Sequence, residues 1–134
     1  DVTLVTYGST WRIVTEAAEE LEKLGISAEV IDIQSLIPFD ISHEIVESLK
    51  KTNRLVVIDE DVEGGATAFM LQQILEKQGG FKYLDSVPLS IAAKDHRPAY
   101  ASDGDYFSKP SVDDIVEKIY VLFHEINPNK FPEI

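Results

Sequence analysis

The chain has 134 residues, 44% hydrophobic and 27% charged, which suits one soluble globular domain built on a single core. Its formal net charge of −12 argues against nucleic acid and anionic membranes, which select basic faces, and favours a basic partner. It has no cysteine, which excludes disulfides, thiol catalysis and cysteine-based metal sites and accords with a reducing cytoplasm; no apolar run approaches the ~20 residues of a transmembrane helix.

The first residues, Asp1 to Val5, lack the basic stretch and cleavage site of a signal peptide. They open inside a strand-like run, as expected of a fragment of a longer chain. Val2 to Tyr7 predicts the first strand, and the turn Gly8-Ser9-Thr10 offers Ser9 or Thr10 as a helix cap. From Trp11 to Leu24, Val14, Ala17, Ala18, Leu21 and Leu24 keep helical spacing, and Gly25 suits the position just past the helix end. Ala28 to Ile33 predicts the second strand, and Leu36 to Phe39 a loop broken by Pro38. Asp40 or Ser42 can cap a helix that turns Ile41, Ile45, Val46 and Leu49 inward and ends in Lys50-Lys51.

Leu55 to Ile58 reads as a third strand buried on both faces, running into Asp59, Glu60, Asp61 and Glu63 and then Gly64-Gly65. A helix over Ala66, Phe69, Met70, Gln73, Ile74 and Lys77 is stopped by Gly79-Gly80. Val87 to Ala92 is the fourth strand, and Pro88 near its start assigns it to an edge. Lys94 to Lys109 is a long irregular stretch of the kind that binds something. Ser111 to Asp114 then resembles a capping box before a helix burying Val112, Ile115, Val116, Ile119, Leu122 and Phe123. The tail from Asn127 to Ile134 shows no periodicity. Strands alternating with helices predict a single domain over 1–134, with a parallel sheet, right-handed crossovers and helices on both faces.

Several residue groups invite a chemical reading. Asp59-Glu60-Asp61 suggests an acidic metal or phosphoacceptor pocket, but the first strand ends in Tyr7-Gly8-Ser9 without an acid, so solvated charge at Asp59, Asp61 and Glu63 is the expectation. Tyr7-Gly8-Ser9-Thr10 before a helix could bind an anion, yet it lacks both glycine-rich phosphate signatures. His43 and His124 fall in helices as surface residues, and Asp95-His96 has no accompanying nucleophile motif. Asp103-Gly104-Asp105 lacks the further ligands of a calcium loop.

Taken in order, Asp1 to Gly8, Gly25 to Ile33, Leu36-Ile37-Pro38-Phe39-Asp40, Lys51 to Val57, Glu60 with Gly64-Gly65, and Leu84-Asp85 with Pro88 form a recognisable set. Together they resemble the C-terminal domain of the transketolase superfamily, most closely the β subunit (E1β) of 2-oxoacid dehydrogenase complexes. The resemblance implies a three-layer α/β/α domain with strand order 2-1-3-4 and a further antiparallel strand before Val2. It implies, for the parent multienzyme complex, oxidoreductase activity: thiamine-diphosphate-dependent oxidative decarboxylation of pyruvate or a branched-chain 2-oxoacid, with acyl transfer to a lipoyl group on the E2 acyltransferase. Thiamine diphosphate and magnesium would sit in the parent's other domains, so this domain is expected to bind no cofactor and to carry no catalytic residue.

By the same resemblance the domain packs against the remaining E1 domains or α subunit and a second E1 protomer, and helps hold the E2 subunit-binding domain. Asp85 is the residue implied to pair with basic residues of that E2 domain; a turn aspartate at a strand entry is the plainer alternative. Glu60, Gly64 and Gly65 are implied to shape a subunit-facing edge. Asp95, His96, Arg97 and Tyr100 stand where relatives carry D-x-P-x-P and are candidates for subunit or substrate-side contacts. In relatives the chain's terminal carboxylate lies near the docking surface, and the tail through Ile134 departs from that pattern. Two alternatives stay open: the C-terminal domain of a transketolase or deoxyxylulose-phosphate synthase, and a free-standing flavodoxin-like module.

Overall fold

The structure, a computed structural model, describes residues 1–8, 10–33, 40, 43–62, 66–93 and 111–132, with the backbone alone at 60–62 and 93. Strands β1 (Val2–Thr6), β2 (Ala28–Asp32), β3 (Leu55–Val62) and β4 (Leu89–Ala93) form one parallel sheet in the order β2-β1-β3-β4. The chain moves one way from β1 to β2 and the other way from β2 through β3 to β4. Right-handed crossovers in opposite directions place their helices on opposite faces. Accordingly α1 (Thr10–Lys23) covers one face, and α2 (Glu44–Thr52) with α3 (Ala66–Leu71) covers the other. The last helix, α4 (Val112–Ile126), returns to the face of α1.

Period-two alternation along the central strands sorts the core into these two layers. Leu4, Val56 and Ile58 point toward α1 and α4, where they meet Val14, Leu21, Ile115 and Ile119. Val5, Leu55 and Val57 point the other way, onto Ile45 and Leu49 of α2 and Met70 and Ile74. Every residue of β1 is buried, as a central parallel strand covered on both faces requires.

Several boundaries differ from the expectation. β3 runs on through Val62, so the acids extend the strand instead of leaving it: backbone pairing with β4 resumes at Val62 and Ala93 after an irregularity beyond Ile58. β4 begins at Leu89, because Pro88 has no N–H to give a ladder. The cap of α2 is Asp40, whose two carboxylate oxygens accept from the N–H groups of Glu44 (3.0 Å) and Ile45 (3.1 Å). Ser42, like Ile41 and the loop 36–39, lies outside the described residues. After α3 the chain widens into π-helical turns over Gln72–Lys77, then makes a 3-10 turn at Gly80–Tyr83 that periodicity gave no sign of.

The capping box of α4 is present: Ser111 Oγ accepts from the Asp114 N–H, and the Asp114 carboxylate accepts from the Ser111 N–H, both at 3.2 Å. Ile115, Ile119 and Phe123 are buried as expected, whereas Val112, Val116 and Leu122 are only half-buried. Tyr120 joins the core because its hydroxyl donates to the Pro132 carbonyl at 2.6 Å. The tail docks in the same place: Phe131 is buried and meets the rings of Phe123 and Tyr120 edge-on, at 5.5 and 6.1 Å. His124 is half-buried rather than a free surface residue, and its Nδ1 lies 2.7 Å from the Phe131 carbonyl, which puts the proton on Nδ1. His43 is exposed, at a left-handed φ of 55°. Among the described residues no helix is long and apolar enough to cross a membrane.

Candidate docking site at the amino ends of the strands

A parallel sheet has two unlike ends, and the candidate residues divide between them. At the carboxyl ends, β1 and β3 flank the point where the chain reverses direction across the sheet, the usual ligand crevice of such folds. Here Tyr7 and Asp59 reach across it, the Tyr7 hydroxyl donating to the Asp59 carboxylate at 3.3 Å. Asp59 is only 2% exposed, which corrects the expectation of solvated charge at that position. Folding has turned its side chain inward because a strand residue has no third choice beyond the two faces.

Gly8 takes a left-handed φ of 65°, and Thr10 is the first residue of α1, buried, with its Oγ1 making no hydrogen bond. Thr10 is therefore not the cap, and Ser9 lies outside the described residues, as do Gly64, Gly65, Asp95, His96, Arg97 and Tyr100 and the side chains of Glu60 and Asp61. Among the described residues no three His, Cys, Asp or Glu side chains stand together as metal ligands.

The amino ends carry Asp85. Its N–H donates to the Asn53 carbonyl at 2.9 Å, and Asn53, at a left-handed φ of 61° just past α2, sends its own side-chain amide to the Tyr83 carbonyl at 2.8 Å. These bonds pin the segment before β4 against the start of β3. Arg54, the residue entering β3, faces Asp85 with Nε 3.6 Å from Oδ1. That is an ion pair longer than a hydrogen bond, and Nε has no hydrogen-bond partner. The Arg54 side chain is 20% exposed and the Asp85 side chain 51%. The guanidinium lies 5.1 Å over the Phe123 ring and donates through Nη1 to the Asp1 carbonyl at 3.3 Å. Asp85 is thus held from beneath by a cation while much of its carboxylate faces water.

A hydroxyl relay braces the same corner. Thr52 Oγ1 lies 3.2 Å from the Arg54 carbonyl. Thr3 Oγ1 in turn lies 2.6 Å from Thr52 Oγ1 and 2.7 Å from Ser48 Oγ, hydrogen-bonded to both. Sequence reasoning singled out Asp85 alone at this end. Arg54 and Asn53 were within reach of it, since Asn just past a helix is a left-handed cap signal, but their pairing with residues some thirty positions on was not.

Residues 1–115 match the family model described as transketolase, C-terminal domain. The chain belongs to the transketolase C-terminal domain family. Its four described strands, parallel in the order 2-1-3-4 between helical layers, have the α/β architecture expected of that family. Among curated proteins it is similar to the pyruvate dehydrogenase E1 component subunit beta of Rhizobium meliloti (strain 1021), 34% identical over 93% of this chain and 27% of that protein. It is also similar to the mitochondrial subunit beta-2 of Oryza sativa subsp. japonica, 39% identical over 87% of this chain and 30% of that protein. The mitochondrial subunit beta of Saccharomyces cerevisiae is 33% identical over 89% of this chain and 32% of its own length. This transketolase C-terminal domain spans about a third of the length of the curated relatives it matches.

Proposed function

We propose that this chain is the C-terminal subunit-assembly and E2-docking domain of a 2-oxoacid dehydrogenase E1 component. The observation that carries the reading is its similarity, across most of its length, to pyruvate dehydrogenase E1 beta subunits. Those names favour pyruvate over a branched-chain 2-oxoacid as the parent's substrate. In this reading the parent performs oxidative decarboxylation with thiamine diphosphate and magnesium held by its other domains, and this domain contacts those domains or an α subunit, a second E1 protomer and E2. The working compartment is the cytoplasm, in keeping with a chain free of cysteine.

Asp85 is the docking carboxylate. Its half-exposed side chain, fixed from below by Arg54 and the Asn53 carbonyl, is suited to receive a cation of the E2 subunit-binding domain. The remaining candidates, Glu60, Gly64, Gly65, Asp95, His96, Arg97 and Tyr100, belong to subunit-facing edges in this reading. Calorimetric titration of the chain with an E2 subunit-binding domain tests it. Binding is expected to weaken as salt is raised and to be lost in Asp85→Lys. Failure of any E2 module to bind would instead favour a transketolase or deoxyxylulose-phosphate synthase origin, since those enzymes have no E2.

A further inference from the structure

Phe81 and Val87, exposed by 70% and 80%, are the most solvent-open large apolar side chains among the described residues. They bracket Asp85 along one strip, from Gly80 to Pro88. The strip is not a loose loop. The 3-10 turn at its head closes with Leu84 N–H to the Phe81 carbonyl, Gly80 packs against Ile74 and Leu49, and Asp85 and Tyr83 are tied to Asn53. A backbone pinned at these points carries two water-exposed apolar side chains, one before and one after Asp85 in the chain. Nothing in the core requires this, because the helices and strands around it bury their own apolar faces.

We propose that this strip is a composite docking surface, with Phe81 and Val87 as apolar anchors and Asp85 as the charged centre. Its partner is a segment presenting one arginine or lysine flanked by apolar side chains. The charge of the occupant follows from complementarity: the surface carboxylate is set in a chain of net charge −12. The neighbouring Lys82 ammonium lies 5.3 Å from the Tyr83 ring centre, and the Arg54 guanidinium faces Asp85 Oδ1 while half of the Asp85 side chain stays open to an incoming cation. Apolar contacts beside the ion pair exclude water and strengthen it, the arrangement found at the centres of tight interfaces. The proposal rests on the docking reading of Asp85 and adds the apolar half of the surface.

The two are separable with the E2 subunit-binding domain as probe, titrated calorimetrically into the whole chain at several salt concentrations. Phe81→Ser and Val87→Ser are each expected to weaken binding about tenfold while leaving its salt dependence as in the unmodified chain. Asp85→Asn is expected to weaken binding and flatten the salt dependence. Both apolar side chains project into water, so their serine variants should unfold in urea with the unmodified chain. If Asp85→Asn weakens binding and both serine variants bind normally, the apolar anchors are overturned and the docking role of Asp85 stands. If the unmodified chain does not bind the probe, both fall.

Discussion

Two aspartates show how position decides what a carboxylate does. Asp59, in the middle of the sheet at the carboxyl ends, is buried and accepts from Tyr7; Asp85, at the amino ends, keeps half its side chain in water beside Arg54. The residues behind Asp85 are more confined than it is. In the run of contacts Ser48, Thr3, Thr52 and the Arg54 carbonyl, each hydroxyl is buried and hydrogen-bonded to its neighbour. Thr3→Val keeps the volume but removes the hydroxyl to which the buried Ser48 and Thr52 hydroxyls both bond. An unsatisfied buried polar group costs roughly 1–3 kcal/mol. Urea denaturation should place Thr3→Val below the unmodified chain by about that much, and equal stability would remove the relay from the account.

At the scale of elements, the passage from α3 to β4 is the least regular part of the described fold and the one that shapes the docking strip. The π-helical turns over Gln72–Lys77 end in Gln78, whose N–H bonds the Gln73 carbonyl five residues back at 2.9 Å. Gly79 follows at a φ of 73°, and Gly80 sits where an added Cβ would lie 2.9 Å from the Ile74 carbonyl and 3.2 Å from Leu49 Cδ1. Glycine at 80 is therefore set by close approach. Gly80→Ala must push the turn away from the Ile74 carbonyl and is expected to cost about 1–3 kcal/mol, as overpacking does in a filled core. Thermal unfolding measures this directly, and an unchanged transition would mean the turn relaxes freely. α2, by contrast, follows its apolar spacing closely, whereas Leu24 lies past the end of α1 and is exposed and α4 leaves Val112, Val116 and Leu122 half-buried. Where spacing was misleading, as at Tyr120, a hydroxyl had found the Pro132 carbonyl of the returning tail.

For the molecule as a whole, the reversal at β1 of the chain's progress across the parallel sheet sorts helices onto both faces and leaves two ends with different work. The carboxyl ends are bridged by Tyr7 and Asp59, and the amino ends carry the Asp85 corner. Because the chain spans about a third of its curated relatives, we expect it to turn over no pyruvate when supplied alone with thiamine diphosphate and magnesium. A spectrophotometric assay with an artificial electron acceptor checks this. Turnover by the chain alone would overturn the division of labour proposed here.

The sequence by itself determined the alternation of strands and helices, the parallel sheet, the edge position of β4 and the capping box of α4. Each of these depends on residues near one another in the chain, where period, proline placement and side-chain caps act directly. The ordered set of short motifs also carried the family. The burial of Asp59, the inward turn of Phe131 and the bracing of Asp85 by Asn53 and Arg54 were decided only in the folded chain. They join positions far apart in sequence, and no local spacing encodes which distant carbonyl, ring or cation a side chain will meet.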